Sequence, residues 1–432
     1  MRQRRADGLE VDDRALDPDA GTADATSLAA LLGGGERGEG GRRLSTDALR
    51  AIRTHLGMEV AFVSEFVGEN RVFRLVDAEW PACPVQVGSG GPLEDSYCQR
   101  VVDGRLPELI HDAGAVPAAA ELEVTSTLPV GAHLAVPIRL SDGRVYGTLC
   151  CFSRTPDHSL NDRDLAIMRV FADLTAAQVG HRAANERRTA TTIARVRAAA
   201  GGEGLSMVFQ PIVATASHRP VGFEALARFD GTPRRGPDAW FADAAAVGLG
   251  VELELAAVRL ALPALPHLPA QAYLALNVSP GSVLSGRLDD ALGSVAGDRI
   301  LLEITEHQMV ETYDGLEDAL RHLRRRGVRI AVDDAGAGYA SFRHILRLRP
   351  DVIKLDMTLT RDIDTDRSRR ALACALIGFA RETGSTIVAE GVETTAELAT
   401  LRRLGVDAAQ GYHLGRPGPL SQVAKEHSLS RR

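Results

Sequence analysis

The sequence lacks any long uninterrupted apolar run. Its most apolar stretch, residues 247–268, contains Glu252, Glu254 and Arg259, so no segment offers the roughly 18 uncharged residues that a membrane-spanning helix needs. The N-terminal stretch MRQRRADGLEVDDRALDPDAG is charged and has no apolar core, which is atypical of a secretory signal. These absences argue against a membrane protein, and we expect the chain to work in the cytoplasm without a membrane partner.

Cysteine is scarce and unpatterned. The chain has five cysteines, an odd number, and no two of them form a C-x-x-C pair. This usage favours reduced thiols over a disulfide framework or a sulfur-ligated zinc site.

Positive charge is also in short supply, and lysine is almost absent. The formal net charge is -7, which argues against a nucleic-acid polymer or anionic lipid as partner. A small anionic ligand that brings its own metal ions is compatible with this charge. Of the 50 lysine and arginine residues only Lys354 and Lys425 are lysine, so a lysine that survives this bias is informative.

The composition is typical of a globular protein, with 45% hydrophobic and 25% charged residues. The length of 432 residues is enough for two or three domains. Residues 1–44 are rich in Gly, Ala, Asp and Arg and predict a disordered tail. Residues 45–160 contain a helical stretch, a short helix at SYCQRVVDGR and two apparent hairpins, EVAFVSEFV with NRVFRLVDA and AHLAVPIRL with RVYGTLCCF. This mixture predicts an α+β domain.

Residues 161–204 have no proline and carry apolar residues at helical spacing, which predicts one long linker helix or two abutting helices. The helix is either a passive spacer or a dimerising signal helix, and the sequence weights both equally.

The third region, residues 205–420, alternates short apolar strands with helical stretches, and residues 421–432 predict a tail. Eight strand-like runs occur: SMVFQPIV, VGFEALARF, AYLALNVSP, ILLEITEH, RIAVDDAG, VIKLDMTL, TIVAEGVET and VDAAQGYHL. Their number and even spacing favour an α/β fold of the closed (β/α)8 type over a doubly wound open sheet. The active sites of such barrels lie at the carboxyl ends of the strands.

Nearly every predicted strand ends in an acid, an amide or a base. The polar residues at these ends are Glu224, Arg228, Asn277, Glu303, Asp333, Asp334, Lys354, Glu390 and Gln410. Because alternate strand residues share a face, Lys354 and Asp356 are expected to point into the same mouth. Carboxylates that converge there would repel one another unless cations neutralise them. Oxygen ligands suit Mg²⁺ or Mn²⁺ better than zinc.

The adjacent Asp333 and Asp334 suggest two cations, because one carboxylate can bridge them while the next holds the outer ion. Two cations about 3.5–4 Å apart can activate a water and stabilise displacement at phosphorus. The site therefore predicts phosphoester hydrolysis. The glycines of GAGYAS (336–341) are interpreted as a flexible loop that lets Asp334 turn inward.

Taken in order, FQPIV, EALAR, LNVSP, LEITE, VDDAGAGYAS, IKLD, AEGVET and QGYHLGRP resemble the EAL family of cyclic di-GMP phosphodiesterases. The resemblance implies a barrel with one reversed strand that hydrolyses cyclic di-GMP to linear pGpG. It implies a first Mg²⁺ or Mn²⁺ ion on Glu224, Asn277, Glu303 and Asp333, and a second ion on Asp333, Asp334 and Glu390.

The resemblance also implies roles for single residues. Lys354, Asp334 and Glu390 would be catalytic, and Lys354 would position or deprotonate the attacking water. Substrate would contact Arg228, Leu226 and Gln410. Glu306 would brace the loop after Asp334.

One departure from the family pattern keeps a second function open. The loop after the Asp pair has Ala335, Ala337 and Ala340 where the family has a DDFGTGYSS-like run. The alternative is a non-catalytic cyclic di-GMP receptor that signals to a protein partner, and hydrolysis of another phosphodiester is a third reading.

Residues 45–160 resemble a GAF sensor domain with an unknown small ligand, and we expect a sensor-regulated homodimer. Gln99 replaces the histidine that a bilin-binding domain would have beside Cys98, so Cys98 is predicted to be a buried structural thiol.

Overall fold

The computed structural model describes residues 39–231, 234–304, 313–335 and 345–428. The chain divides into two compact units, with the division between Glu186 and Arg187. Each unit has hydrophobic cores of its own.

The first unit is built on an antiparallel sheet of six strands in the spatial order β3-β2-β1-β6-β5-β4. The strands are β1 (Val60–Val67), β2 (Asn70–Ala78), β3 (Gly90–Pro92), β4 (Leu109–Ile110), β5 (Ala132–Arg139) and β6 (Val145–Ser153). Both expected hairpins are present, as β1 with β2 and β5 with β6. Successive side chains of β6 alternate between two cores, with Cys150 in one and Cys151 in the other.

The first helix, α1 (Glu39–His55), corrects the predicted limit of the tail, because it begins inside the segment 1–44. Residues 1–38 lie outside the described residues. Ala48, Leu49 and Ile52 are buried against the sheet. Once such a turn is anchored, each further helical residue adds one hydrogen bond, which explains why the helix continues through the preceding glycines. The other helices of this unit are α2 (Tyr97–Val102), α3 (Pro117–Ala120) and α4 (Glu123–Thr127).

A single helix, α5 (Asp162–Ala200), occupies the predicted linker over 39 residues. Its early residues Met168 and Phe171 belong to the core of the first unit. Its late residues Val196 and Ala199 are buried in the second unit beside Trp240. The last turns of α5 are therefore part of the second unit's fold.

The second unit is a closed eight-stranded barrel in the order β10-β11-β12-β13-β14-β7-β8-β9. All eight predicted runs form strands: β7 (Leu205–Ala214), β8 (Pro220–Phe229), β9 (Tyr273–Val278), β10 (Ile300–Ile304), β11 (Arg329–Ala335), β12 (Val352–Leu355), β13 (Thr386–Ala389) and β14 (Ala408–Ala409). Closure decides against the open sheet. β7 is antiparallel to both of its neighbours, β8 and β14, so the one reversed strand is confirmed.

One end of the barrel interior is filled by apolar side chains, among them Ile212, Leu301 and Tyr273. A Cβ at Gly222 would lie 2.4 Å from the Tyr273 ring, so glycine is required where this ring crosses β8. Polar side chains lie at the opposite, carboxyl end of the parallel strands.

Helices cover the outside of the barrel. They are α6 (Pro237–Ala246), α7 (Gly250–Ala261), α8 (Pro280–Leu284), α9 (Leu288–Leu292), α10 (Tyr313–Arg325), α11 (Met357–Thr360), α12 (Arg367–Thr383), α13 (Thr395–Leu404) and α14 (Leu420–Ser428). Helix α14 corrects the predicted tail 421–432, because Val423 is buried in the barrel core and anchors it. Among the described residues, no helix is both long and apolar enough to span a bilayer.

Candidate active site

Strand register brings the predicted polar residues together at one end of the barrel. On β10, Leu301 faces the barrel interior, and alternation places Glu303 on that same inner face. Glu303 lies opposite Asn277 of β9 in the parallel ladder. Lys354 lies in β12, and Glu390 directly follows β13. Adjacent parallel strands thus deliver side chains of opposite charge to one mouth.

Lys354 is the centre of this cluster. Its side chain is 1% exposed, although lysine is almost never fully buried unless it is paired. Its Nζ lies 2.6 Å from Glu390 Oε1, 2.8 Å from Glu303 Oε2 and 3.2 Å from Asp333 Oδ1. A fourth carboxylate, Glu224 Oε1, lies at 3.9 Å. One buried ammonium therefore holds four carboxylates.

The crowding shifts the protonation equilibria of the acids. Burial raises the pKa of Glu303 well above its usual range, against the opposing charge of Lys354. Burial also raises the pKa of Glu390 to about 8, and Asp333 adds to this rise while Lys354 opposes it. One lysine does not compensate all of the carboxylates around it, so both acids are harder to ionise in the absence of another cation.

For Lys354 and Glu224, neighbouring charges outweigh the effect of burial on the pKa. Burial alone would lower the pKa of Lys354, but the surrounding carboxylates outweigh it and raise the pKa well above its ordinary value. Burial alone would raise the pKa of Glu224, but Lys354 and the hydrogen bond from Gln410 keep this pKa low. Lys354 is therefore a firmly protonated ammonium and Glu224 a carboxylate.

The donor set fits hard divalent cations, because it is made of carboxylate and amide oxygens. Glu303 Oε1 is buried and has no hydrogen-bond partner, so one oxygen in the cluster remains available for a cation. Among the described residues, no three His, Cys, Asp or Glu side chains are already arranged around a metal position; the carboxylates gather on Lys354 instead. Only the backbone of Asp334 is described.

A chain of amides extends the cluster. Asn277 Nδ2 donates to Glu224 Oε1 at 2.8 Å. Gln410 Nε2 donates to Glu224 Oε2 at 2.6 Å and to Gln210 Oε1 at 2.9 Å. Gln210 in turn donates to the carbonyl of Gly415 at 3.0 Å. Both carboxylate oxygens of Glu224 are thus fixed in orientation.

Gln210 was not identified from the sequence. The available signal is its position in FQPIV, where a polar residue interrupts an apolar strand and lies opposite Glu224 in the antiparallel ladder. A glutamine buried at such a position needs partners.

The predicted substrate residues Leu226 and Arg228 follow Glu224 along β8 and share its face by alternation. Both are half-buried. Arg228 Nη1 donates to the carbonyl of Ala227 at 2.8 Å. Within the described part of the chain Arg228 has no carboxylate partner, so its guanidinium charge is available to an anion.

The expectation for Asp356 is wrong. Its carboxylate does not join Lys354 but caps α11, accepting hydrogen bonds from the backbone nitrogen of Thr358 at 2.9 Å and from its hydroxyl at 2.5 Å. The alternation rule applies only within a strand, and β12 ends at Leu355. Glu306 and the segment 336–341 lie outside the described residues.

Glu254 on α7 is a second residue that sequence reasoning missed. Its Oε2 accepts hydrogen bonds from the backbone nitrogen and hydroxyl of Ser279, both at 2.8 Å, and from the hydroxyl of Ser282 at 2.6 Å. Ser279 directly follows β9, the strand that carries Asn277, and caps α8, the helix that contains Ser282. Glu254 therefore holds the start of α8 at the end of β9.

Comparison with known families agrees with this architecture. The family model of the EAL domain matches residues 193–417, and that of the GAF domain matches residues 42–179. The barrel unit and the antiparallel-sheet unit each correspond to one of these domains.

Individual relatives cover the chain to different extents. Uncharacterized protein Rv1354c of Mycobacterium tuberculosis is 27% identical over 419 residues, which are 90% of this chain and 63% of that protein. Cyclic di-GMP phosphodiesterase NbdA of Pseudomonas aeruginosa is 31% identical over 240 residues, 53% of this chain and 31% of that protein. The chain thus spans less than two thirds of the length of these relatives.

Among solved structures, that of EAL enzyme Bd1971 with cAMP and cyclic di-GMP bound is similar with a TM-score of 0.53 and 15% identity. The similarity covers 86% of this chain and 93% of that one. At this identity the likeness concerns the fold.

Proposed function

We propose that this chain, which belongs to the EAL domain family, hydrolyses cyclic di-GMP to linear pGpG at the carboxyl end of its barrel. The observation that carries the proposal is the buried Lys354, whose Nζ lies within 3.9 Å of four carboxylates. A cluster so rich in oxygen donors and negative charge suits divalent cations and, through them, an anionic phosphodiester.

EAL phosphodiesterases are metal-dependent, and we propose two Mg²⁺ or Mn²⁺ ions for this site. Bound cations would lower the pKa of an attacking water and neutralise charge on the phosphate. The proposed ligands of the first ion are Glu224, Asn277, Glu303 and Asp333, and those of the second are Asp333, Asp334 and Glu390. The unpartnered Oε1 of Glu303 supports the first set.

Side chains of the barrel have the remaining roles, which are to orient the attacking water and to bind the substrate. Lys354 is firmly protonated, so we assign it to orienting the attacking water and holding the carboxylates in place, not to removing a proton. Arg228 would bind a substrate phosphate with its uncompensated guanidinium. Gln410 would present its buried, unpartnered Oε1 to the substrate or to a water, and Leu226 would contact the substrate.

We propose further that residues 45–160 act as the sensor, that 161–204 transmit its state and that 205–420 carry out the hydrolysis in a homodimer. The unbroken course of α5 from one unit into the other supports this division.

The test is an assay of the purified full chain with cyclic di-GMP and Mg²⁺ or Mn²⁺, in which the linear product is followed by chromatography. A chelator should abolish hydrolysis. Glu224→Ala removes a proposed ligand of the first ion, so it should lower the rate by roughly a hundredfold or more, equivalent to about 2.7 kcal/mol of lost transition-state stabilisation. Glu252→Ala, an exposed acid on α7, is the matched control.

Hydrolysis that persists in excess chelator would contradict the metal-dependent mechanism. Binding of cyclic di-GMP without turnover under all metal conditions would favour the receptor alternative.

A further inference from the structure

The first unit contains a pair of cysteines that lie close together although they are distant in sequence. Cys98 of α2 and Cys150 of β6 have their Sγ atoms 3.8 Å apart, and both side chains are 0% exposed. A disulfide requires about 2.05 Å between the sulfurs, so they need to approach by less than about 2 Å.

A guanidinium faces this pair. Arg71 Nη1 lies 3.6 Å from Cys98 Sγ in hydrogen-bond geometry. The same guanidinium stacks on the ring of Phe73, with its carbon 4.6 Å from the ring centroid. Its buried Nε has no partner, and no described carboxylate forms an ion pair with it. Arg71 is half-buried, and a positive charge in such a place, with no described counter-ion, stabilises the thiolate of a neighbouring cysteine.

Hydroxyl groups complete the surroundings. Cys150 Sγ lies 3.2 Å from Thr148 Oγ1. Thr148 and Ser64 exchange a hydrogen bond of 2.9 Å between their hydroxyls, and Ser64 Oγ lies 3.8 Å from Cys98 Sγ. Each sulfur is therefore held in a polar network, unlike an ordinary buried thiol that only fills space.

The two thiols are electrostatically different. The hydrogen bond from Cys150 and then the charge of Arg71 lower the pKa of Cys98, although burial opposes this. Burial raises the pKa of Cys150. Cys98 has the character of the attacking thiolate, and Cys150 remains the thiol that would resolve an oxidised Cys98.

We propose that Cys98 and Cys150 form a peroxide-sensitive dithiol that closes reversibly to a disulfide. The proposal is independent of the reaction at the barrel. Complete burial restricts the oxidant to a molecule about the size of water, which favours hydrogen peroxide over a bulky disulfide such as oxidised glutathione.

The reaction balances in two steps. The Cys98 thiolate attacks one peroxide oxygen, the O–O bond breaks, and the released hydroxide takes up a proton and leaves as water, which gives a sulfenic acid. The Cys150 sulfur then attacks Cys98 Sγ, the S–O bond breaks, and the proton of the Cys150 thiol leaves with the hydroxide as a second water. Two thiols lose two electrons in total, and the peroxide gains them. A dithiol reductant restores the thiols.

The test uses the reduced full chain, treated with a small excess of hydrogen peroxide or with oxidised glutathione, then denatured in an alkylating reagent and mapped by peptide mass spectrometry. Peroxide should give a Cys98–Cys150 cross-linked peptide, and oxidised glutathione should react far more slowly. Cys150→Ser should stop at a sulfenic acid on Cys98, which a cyclic 1,3-dione present during denaturation traps.

Two further variants separate this chemistry from simple proximity. Arg71→Gln should slow disulfide formation at least about tenfold, equivalent to about 1.4 kcal/mol. Cys151→Ser, next to Cys150 but in the other core, should react at the wild-type rate. Circular dichroism and thermal melting verify that each variant is folded.

Peptide mapping of the wild-type chain tests whether Cys98 and Cys150 form a disulfide, even if a variant fails to fold. Oxidation of the exposed Cys374 while Cys98 and Cys150 stay free would overturn the proposal. So would a disulfide that forms only after denaturation.

Discussion

The carboxylates around Lys354 make the stability of the metal-free protein depend on pH. Burial raises the pKa of Glu303 and Glu390 in the folded state, so the folded chain binds more protons than the unfolded chain above the ordinary carboxyl pKa. Stability from these groups is fully present below pH 4.5, the ordinary value. It is lost as the pH rises through the folded value, about 8 for Glu390. Stability in a chelator should therefore fall across this window.

The size of the effect follows from the shift. One pKa unit corresponds to about 1.4 kcal/mol, so a rise from 4.5 to about 8 corresponds to up to about 5 kcal/mol for Glu390. Each such carboxyl contributes about 1.4 kcal/mol of lost unfolding free energy per pH unit inside the window. Lys354 and Glu224 do not add to this slope, because their shifts keep them charged there. Glu390→Gln, which cannot ionise, should make the slope less steep by about 1.4 kcal/mol per pH unit.

The assay is urea unfolding at pH 5–9 in a chelator and, separately, in excess Mn²⁺. A Trp80→Phe background leaves Trp240, buried in the barrel unit, as the fluorescent reporter. Mn²⁺ should stabilise the folded state and remove the fall, because the cation takes the place of the protons. Glu393→Gln, an exposed acid paired with Arg361, is the matched control. Stability that is flat with pH in the chelator, or an unchanged slope in Glu390→Gln, would refute the reasoning.

The remaining predictions concern Lys354, the unit boundary and Glu254. Lys354→Arg should keep the fold and bind cyclic di-GMP but lose most turnover in the product assay. Lys425→Arg, a change at an exposed position, should be indistinguishable from wild type in the same assay. Near-normal turnover by Lys354→Arg would show that Lys354 acts only as a structural ion-pair partner. Removing residues 1–186 should leave a folded barrel. Removing residues 1–204 should give a barrel with a lower melting temperature, because the last turns of α5 complete the barrel's core. Equal melting temperatures for the two fragments would contradict this. Glu254→Ala removes three hydrogen bonds to a carboxylate and should destabilise the barrel in urea unfolding by at least about 1.5–3 kcal/mol, the value of one such bond. An unchanged midpoint would show that the start of α8 is held without Glu254.

The sequence predicts the barrel well because its signals are local. Each strand is a short apolar run, and the residue at its end is visible without knowledge of its neighbours. Parallel pairing then brings such ends together, so the sequence predicts Glu303, Asp333 and Lys354 in one mouth, where Lys354 pairs with both acids. The reversal of β7 came only from the family resemblance, because strand direction leaves no mark in a run such as SMVFQPIV.

Other features could not be predicted because they depend on where an element stops or on contacts across the chain. Asp356 was misassigned since β12 ends one residue earlier and the side chain turns to cap a helix. Gln210 lies within an apolar run, and its role depends on a partner 200 residues away. Cys98 is buried as predicted, but Arg71 of β2 reaches it on α2, a contact that spacing along the chain does not reveal.

The geometry at Lys354 explains why lysine persists there in a chain that uses arginine almost everywhere else. An ammonium is a compact point charge with three donors, and three carboxylates lie within 3.2 Å of Nζ, one for each donor. These acceptors surround one atom in a space that is 1% exposed. A guanidinium spreads its charge over a planar fork and has no nitrogen with three N–H donors, so it cannot serve all three acids from a single atom. The bias toward arginine therefore does not extend to this position, where three acids share the ammonium nitrogen of one side chain.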